Sequence, residues 1–309
     1  MPMWAWILFY ALVIVMLYAD LKLFGRKGQH EVSIKEALQM TCVWIAVSLI
    51  FCAGIGHFEN GDKAMEFLAG YLIEKSLSMD NLFVFLMLFS FFGVQRKYQH
   101  EVLFWGIFGA LILRSIFIFA GAAMVQRFEW ILAIFGIFLI YTGIKMFGHQ
   151  EESVDPSKNI FVKLFKKFFP VTDQMHEDKF FIIENGKRLA TPLFIALLVI
   201  ETTDVAFAVD SIPAVFSVSR DPFIVLTSNI FAILGLRALY FALAAIAQYF
   251  QYLKYGLGII LSFVGVKMLL EVFWHIKVDT PISLLIIFGV LVLSMVASYV
   301  ATSYSRRRQ

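Results

Sequence analysis

Long uninterrupted apolar runs are the feature that most restricts how this chain can fold. About 20 apolar residues are enough to cross the hydrocarbon core of a bilayer as an α-helix. Only 16% of the 309 residues are charged, against about 25% in an average soluble domain. The runs are continuous rather than alternating, which excludes a transmembrane β-barrel. We therefore predict an all-α polytopic membrane protein with about nine transmembrane helices, at residues 4–22, 36–56, 66–92, 101–123, 128–147, 191–216, 222–247, 252–273 and 281–302.

Basic residues are distributed unevenly over the loops between these runs. If the N-terminus lies outside, the inner loops carry 17 lysines and arginines, whereas the outer loops carry four: Lys63, Arg127, Arg220 and Lys277. An excess of basic residues on the cytoplasmic side is the usual determinant of helix orientation in membranes. We therefore expect the N-terminus outside and the C-terminus in the cytoplasm.

The one long loop, residues 148–190, is predicted to hold an amphipathic helix and a β-hairpin. At helical spacing, Asn159–Phe169 has lysines toward one side and four apolar side chains on one face: Phe161, Leu164, Phe165 and Phe168. Such a helix either lies on the anionic inner leaflet or packs against its own protein, and the pattern fits both. Asn185-Gly186, between two short strand-like runs, is typical of a two-residue hairpin turn.

Three carboxylates interrupt the apolar run at 191–216, namely Glu201, Asp204 and Asp210. Insertion scales put each charge near the centre of a membrane helix at about 2.5–3.5 kcal/mol, so such residues usually face a protein interior or a wet cavity. This acidic stretch, Ile200–Pro213, is therefore predicted to contribute to a cation site.

An internal repeat supplies a second acidic stretch. The matched positions are Glu74 with Asp204, Asp80 with Asp210, Arg114 with Arg237 and Lys145 with Lys267. Each copy has three runs, so the two copies cross the membrane in opposite senses, as in transporters whose site lies near the bilayer midplane. The predicted divisions are two N-terminal helices (1–57), the first repeat (66–147), a cytoplasmic loop (148–190), the second repeat (191–273) and a C-terminal helix with a basic tail (279–309).

Five buried carboxylates are predicted to form a metal site at the axis between the repeats: Glu74, Asp80, Glu201, Asp204 and Asp210. Oxygen ligands select hard cations such as Mn²⁺, Mg²⁺ or Ca²⁺. Asn81 and Ser211 offer further oxygen ligands, and Arg114 and Arg237 are the expected partners of the acids when metal is absent. The alternative is that these charges only form ion pairs that lock the bundle. The six histidines fall at run ends or in loops, which argues against zinc or copper at mid-membrane.

Helical geometry restricts how one ion could be shared. At about 100° per residue, Glu201 and Asp204 lie about 60° apart, whereas Asp210 lies about 180° from Glu201. A straight helix cannot direct Glu201 and Asp210 at the same ion. Either the helix breaks near Pro213 and frees backbone carbonyls as ligands, or the carboxylates form a path with more than one station. The sequence leaves both alternatives open.

These motifs resemble a known family. The stretches Y-L-I-E-K-S-L-S-M-D-N-L-F at Tyr71–Phe83 and A-V-D-S-I-P-A at Ala208–Ala214 are similar to motifs of the TerC family of bacterial integral membrane proteins, as is Asp221–Arg237. The resemblance implies a manganese exporter of the bacterial cytoplasmic membrane, in a wider group of LysE-like transporters, with the family's acidic motifs on the same five carboxylates. The family name derives from tellurium resistance, and some relatives are linked to metal loading of exported proteins.

The main hypothesis is therefore a secondary transporter that moves Mn²⁺ out of the cytoplasm by alternating access between the repeats. The sequence has no Gly-rich ATP-binding motif, and we expect neither enzymatic activity nor a prosthetic group, with Mn²⁺ as substrate. The expected partners are the divalent metal ion and the lipid bilayer, not nucleic acid, and a homo-oligomer or other membrane partners are left open. The rival hypothesis is a membrane scaffold for metal loading of exported proteins, or for tellurium resistance, without net ion transport.

Overall fold

Eleven helices and one small sheet make up the part of the chain that the structure describes. The structure is a computed structural model and describes residues 3–25, 33–128, 130–148, 159–172, 174, 176–184, 186–246 and 253–306. The elements are α1 (Met3–Gly25), α2 (Ile34–Phe58), α3 (Gly61–Phe91), α4 (Arg96–Arg127), α5 (Ile131–Lys145), α6 (Ile160–Phe168), β1 (Phe181–Glu184), β2 (Lys187–Ala190), α7 (Pro192–Phe216), α8 (Pro222–Ile233), α9 (Leu236–Ile246), α10 (Leu253–Trp274) and α11 (Thr280–Arg306).

Seven helical segments in the described residues are long and apolar enough to cross a membrane. They belong to α1, α2, α4, α7, α10 and α11, together with Pro222–Ala244, which covers α8 and most of α9. The predicted polytopic helical membrane protein is thereby confirmed. The other two predicted spans correspond to α3, which has 31 residues and carries charges on several turns, and α5, which has 15 residues, or about 22 Å of helix. The number nine and the orientation of the termini stay predictions.

The structure has a helix break, but it does not lie near Pro213, the position that the sequence left open. α7 continues through Pro213 to its end at Phe216, so its acidic residues lie on one unbroken helix. The break occurs instead at Leu234–Gly235, between α8 and α9. Gly235 has a φ of +83°, which favours glycine. Atoms of Trp44 lie 2.6–2.8 Å from the position that a Cβ atom would take there.

Three helix pairs build the centre of the bundle: α3 packs on α8, α4 packs on α7, and α5 packs on α10. The backbones of α5 and α10 touch at glycines. A Cβ atom at Gly136 would lie 2.9 Å from the carbonyl oxygen of Gly265, and one at Gly143 would lie 2.6 Å from the carbonyl oxygen of Gly258. Because residue numbers rise along α5 as they fall along α10, the two helices cross in antiparallel directions.

Alanine at Gly136 or Gly143 is expected to lower the unfolding temperature of the purified protein in detergent. A Cβ atom would meet backbone that cannot move away without separating α5 from α10, and overpacking of this kind costs about 1–3 kcal/mol. The matched control is Gly289→Ala on α11, where no atom lies within 4 Å of the added Cβ; alanine there should be neutral or stabilising, since it favours the helix. Equal shifts at all three positions would contradict this account of the crossing.

The helix and the hairpin predicted for the 148–190 loop are both present. Asn159 is the N-cap of α6, and β1 pairs antiparallel with β2 from Phe181↔Ala190 to Glu184↔Lys187. Gly186 in the turn has a φ of +72°, a backbone conformation that this kind of hairpin turn requires. Asn185, the other predicted turn residue, lies outside the described residues.

One residue of the predicted apolar face of α6 belongs elsewhere. The ring of Phe165 lies 5.1 Å from that of Phe194 at the start of α7, and Phe194 in turn lies 4.6 Å from Phe181 of the hairpin. Phe165 is therefore part of an aromatic cluster that ties α6 and the hairpin to α7. Phe161, Leu164 and Phe168 remain exposed.

Candidate metal-binding site

Arg114 is the centre of a buried ionic network between α3, α4 and α7. Its side chain is fully buried, and its Nη2 and Nε donate to the two carboxylate oxygens of Asp204 at 2.9 and 3.1 Å. Its Nη1 forms an ion pair with Glu74 and donates to Ser211 Oγ at 3.2 Å. A guanidinium that donates two parallel hydrogen bonds to one carboxylate fixes both groups in orientation. The structure thus brings four of the predicted site residues together.

Glu74 has further hydrogen-bond donors on two helices. Ser78, one turn along α3, donates to Oε1 at 3.2 Å, and Nδ2 of Asn229 on α8 donates to Oε2 at 2.8 Å. Asn229 is fully buried, and its Oδ1 has no hydrogen-bond partner in the described structure. The sequence reasoning did not select Asn229, because an amide carries no charge to mark it in the sequence.

The network holds more negative than positive charge. When both acids are ionised, Glu74 and Asp204 face the single guanidinium of Arg114, and their exposed fractions are 0% and 6%. A buried charge without compensation is costly, so the network favours a further cation nearby. Lys75 places a cation at the helix break between α8 and α9. Its Nζ donates to the carbonyl oxygen of Ala232 at 3.0 Å, near the negative end of α8.

Glu201 lies close to this network but has an unused oxygen. Its Oε2 is buried and has no hydrogen-bond partner among the described residues. The carboxyl group lies directly against Gly109 of α4, in the space that a side chain at position 109 would fill. Glycine at 109 therefore makes room for Glu201, and the sequence reasoning did not identify this role.

Asp210 lies apart from the Arg114 network in the described contacts. Thr142 Oγ1 of α5 donates to Asp210 Oδ1 at 3.5 Å, a long hydrogen bond. Because α7 is unbroken, Asp210 stays on the side of the helix opposite Glu201. The described structure therefore holds these two carboxylates at separate places.

The remaining predicted acid on α3 is Asp80, whose side chain lies outside the described residues. Its neighbour Asn81 is buried, with 8% of its surface exposed. Among the described residues, no three His, Cys, Asp or Glu side chains are grouped closely enough to hold a metal ion. The described acids therefore form a network around Arg114 rather than a ready coordination shell.

Arg237, the repeat counterpart of Arg114, has a partner that the sequence reasoning missed. It forms an ion pair at 2.9 Å with Asp20 of α1, and its guanidinium lies 5.8 Å from the centre of the Phe104 ring. The first helix, which lies outside both predicted repeats, thus supplies a buried carboxylate. A lone acid near the C-terminal end of the first apolar run was the available signal.

A small apolar pocket joins the network to the helix break. Asp204 lines it together with Ile200 on α7, and Ile233 and Leu236 flank the break between α8 and α9 on the same pocket. Interrupted helices with polar groups at the break are a recurrent feature of membrane transport sites. Asp204 therefore contacts both Arg114 and the space beside the broken span.

Comparison with known proteins identifies the family. Residues 59–307, which include α3 through α11, match the model of the integral membrane protein TerC family. The chain belongs to the TerC family. The resemblance drawn from the acidic motifs is thus confirmed, and the matched region contains every residue of the Arg114 network.

Similar TerC-family chains come from several bacteria. A membrane protein of Myxococcus xanthus is 47% identical over 97% of this chain and 93% of its own length. Alx of Escherichia coli K12, named as a candidate membrane-bound redox modulator, is 47% identical over 93% of this chain and 92% of its own length. A membrane protein of Rickettsia bellii is 40% identical over 96% of this chain and 97% of its own length. No solved structure matches the chain.

These findings place the protein in the membrane. The family is one of integral membrane proteins, the relatives are bacterial membrane proteins, and the described chain has seven candidate spans. The protein is a multi-pass protein of the bacterial inner membrane.

Proposed function

We propose that this TerC-family protein is a secondary transporter that exports a divalent metal ion, with Mn²⁺ as substrate, through the acidic residues of α3 and α7. The observation that carries the proposal is the network in which buried Arg114 holds the carboxylates of Glu74 and Asp204 inside a membrane-spanning bundle. Ionisable groups at such depth are expensive and usually mark an ion path. Two carboxylates that share a guanidinium offer the oxygen ligands that a hard divalent cation prefers.

Glu201 is the carboxylate that takes up the ion first in this mechanism, because its Oε2 has no competing partner among the described residues. Asp204 lies three residues further on α7 and about 60° around the helix, so both can face one ion. An ion between them competes with Arg114 for Asp204. Arg114 then acts as a tethered counter-ion, which pairs with the acids without metal and returns to them when the metal leaves.

Asp210 is a second station in this proposal. The unbroken α7 supports the alternative of a path with more than one station, since Asp210 and Glu201 point to opposite sides of one helix. Thr142 of α5 supplies a hydroxyl beside Asp210. An ion that moves from Glu201 to Asp210 therefore passes from the neighbourhood of α4 to that of α5.

The pairing of helices supports the inverted repeat that alternating access requires. In the repeat alignment α3 corresponds to α7, α4 to α8 and α9, and α5 to α10. The contact of α3 with α8 then has its counterpart in the contact of α7 with α4. The close contacts of Gly136 with Gly265 and of Gly143 with Gly258 exchange with each other under the same correspondence. A two-fold relation between the copies accounts for all three pairings.

A redox activity, which the name of the Escherichia coli relative raises, has less support here. The two cysteines, Cys42 and Cys52, are both free. They lie ten residues apart on α2, or about 15 Å along the helix axis, which is too far for a disulfide. The rival of a metal-loading scaffold predicts contacts with exported proteins and no net movement of ions.

Metal content of cells tests the proposal. Bacteria that express the protein under Mn²⁺ load should hold less total manganese, measured by mass spectrometry, than cells with an empty vector. Cells that express a Glu201→Gln variant at equal abundance should hold as much manganese as the vector cells. Unchanged manganese in cells with the intact protein would favour the scaffold.

Gly109→Ala is expected to weaken export with little effect on folding. The added Cβ would enter the space of the Glu201 carboxyl group, the free end of a flexible side chain, so Glu201 turns away while the helices stay in place. The same manganese measurement should show partial or complete loss of export, with protein abundance checked by immunoblot. Gly54→Ala on α2 is the control, because nothing lies within 4 Å of a Cβ there. Full export by Gly109→Ala would contradict the proposal that export depends on the position of the Glu201 carboxyl group.

A further inference from the structure

α6 has an apolar face that no described part of the chain covers. Its four side chains are between 52% and 77% exposed, and they are Ile160, Phe161, Leu164 and Phe168. At about 100° per residue they fall within about 100° of one another. Four large apolar side chains on nine residues form a surface that is poorly suited to water.

A different face of α6 attaches the helix to α7. Val162 is buried, and Phe165 packs against Phe194. Asn159 accepts from the backbone N–H of Phe161 at 2.9 Å and donates through Nδ2 to Thr202 Oγ1 at 2.9 Å. Because the contacts run from Thr202 back to Phe194 as α6 advances, α6 lies antiparallel along about 12 Å of α7.

Three lysines complete the circumference of α6. Lys163, Lys166 and Lys167 are exposed, and none of them forms an ion pair with any residue in the described ranges. By helical angle Lys163 and Lys167 border the exposed apolar face on the Ile160 side, whereas Lys166 lies about 40° from buried Val162. Two of the three lie in the last turn, near the end of α6 that is closest to the start of α7.

We propose that α6 docks into an anionic lipid surface, with Ile160, Phe161, Leu164 and Phe168 among the acyl chains and the three lysines on the phosphate headgroups. Charge complementarity selects this occupant, because three exposed ammonium groups without an ion pair among the described residues, two of them bordering an apolar face, are the pattern of helices that bind anionic membranes. Lysine side chains are long enough to place the charge in the headgroup layer while the stem stays among apolar groups.

The docking has a consequence that rests on the proposed function. Asn159 caps α6 and also holds Thr202, the residue after Glu201. Lipid that fixes α6 therefore fixes the segment of α7 that carries Glu201, and metal movement through that segment depends on anionic lipid.

Nitroxide labels on the intact chain test the docking without any transport. Leu164→Cys and Phe168→Cys are labelled in a chain with Cys42→Ala and Cys52→Ala and reconstituted into phosphatidylcholine vesicles with or without phosphatidylglycerol. In the anionic vesicles, oxygen should relax both labels more than a water-soluble nickel complex does. The difference should shrink in phosphatidylcholine alone and after Lys163→Gln, Lys166→Gln and Lys167→Gln are combined. Leu285→Cys and Lys277→Cys, at 74% and 80% exposure, are the lipid-facing and water-facing references.

Three results would overturn the docking. Access of nickel to both labels in all vesicles would mean that the face lies in water. Exclusion of both reagents would mean that protein, such as a second copy, covers it. Equal access of oxygen with and without phosphatidylglycerol, unchanged by the lysine substitutions, would mean that headgroup charge is not recognised.

Thr202→Val tests the connection to the site. Valine keeps the shape of threonine but cannot accept the hydrogen bond from Asn159. Mn²⁺ flux of the intact protein should rise with the phosphatidylglycerol fraction, and flux of Thr202→Val should lose that dependence. Flux of the intact protein that does not respond to phosphatidylglycerol would overturn the connection. Absence of any flux would overturn the proposed function instead, and the nitroxide result would still decide the docking.

Discussion

Removal of the Arg114 guanidinium by Arg114→Met is expected to produce the largest loss of stability of any single substitution in the ionic network. It leaves Glu74 and Asp204 buried without their cation, and breaking a buried ion pair in this way costs about 3–5 kcal/mol. The measurement is the free energy of unfolding in mixed detergent micelles, followed by helical circular dichroism.

Neutralising the acids should restore much of that loss. In Arg114→Met combined with Glu74→Gln and Asp204→Asn the guanidinium and both of its carboxylate partners are replaced by neutral groups, so the triple variant should be more stable than Arg114→Met alone. The matched control is Arg220→Met, which removes a guanidinium that is 43% exposed and paired with Glu271, and surface pairs contribute about 0–1 kcal/mol. If Arg114→Met and Arg220→Met unfold alike, Arg114 does not have the structural role described here.

Glu201→Gln is expected to show the largest loss of transport, with no loss of stability. The glutamine removes a charged ligand, and contacts to charged groups contribute about 1.5–3 kcal/mol, so Mn²⁺ flux should fall by about tenfold to a hundredfold. Stability should hold or rise, since Oε2 of Glu201 is buried with no hydrogen-bond partner in the described part of the chain and a neutral amide is cheaper to bury than a carboxylate.

Glu74→Gln is the informative comparison for Glu201→Gln. Glu74 forms an ion pair with Arg114 and accepts from Asn229, so its substitution should lower both flux and the free energy of unfolding. Flux measured in vesicles and unfolding measured in detergent on the same preparations separate the two effects. Glu201→Gln with wild-type flux, or with a stability loss as large as that of Glu74→Gln, would contradict the assignment of Glu201 as the free ligand.

The broad architecture could be predicted from the sequence because long apolar runs and turn motifs are strong signals of helices and hairpins. Long apolar runs predicted the helix ends to within about five residues, and Asn185-Gly186 between two strand-like runs predicted the hairpin. Charges inside apolar runs cannot escape burial, and this is why Glu74, Arg114 and Asp204 could be selected without coordinates. The periodicity of the sequence did not indicate which acid each arginine would contact.

The features that sequence reasoning missed have weak local signals. Gly235 is one of 19 glycines, and only the contact with Trp44 and a positive φ distinguish it. Pro213 was the stronger breaker by residue type, yet it sits one turn before the end of α7, where a single lost hydrogen bond is tolerated. Asp20 and Asn229 acquire their roles from residues more than 150 positions away in the chain.

Mn²⁺ flux across vesicles reconstituted with the purified protein tests the central claim most directly. The intact protein, Asp80→Asn, Asp210→Asn and the control Asp62→Asn, an exposed acid in the first turn of α3, are compared at equal protein content with a manganese-sensitive dye inside the vesicles. The account predicts flux with the intact protein and with Asp62→Asn, and its loss with Asp80→Asn and with Asp210→Asn. No flux with the intact protein, or full flux with both Asp80→Asn and Asp210→Asn, would contradict it.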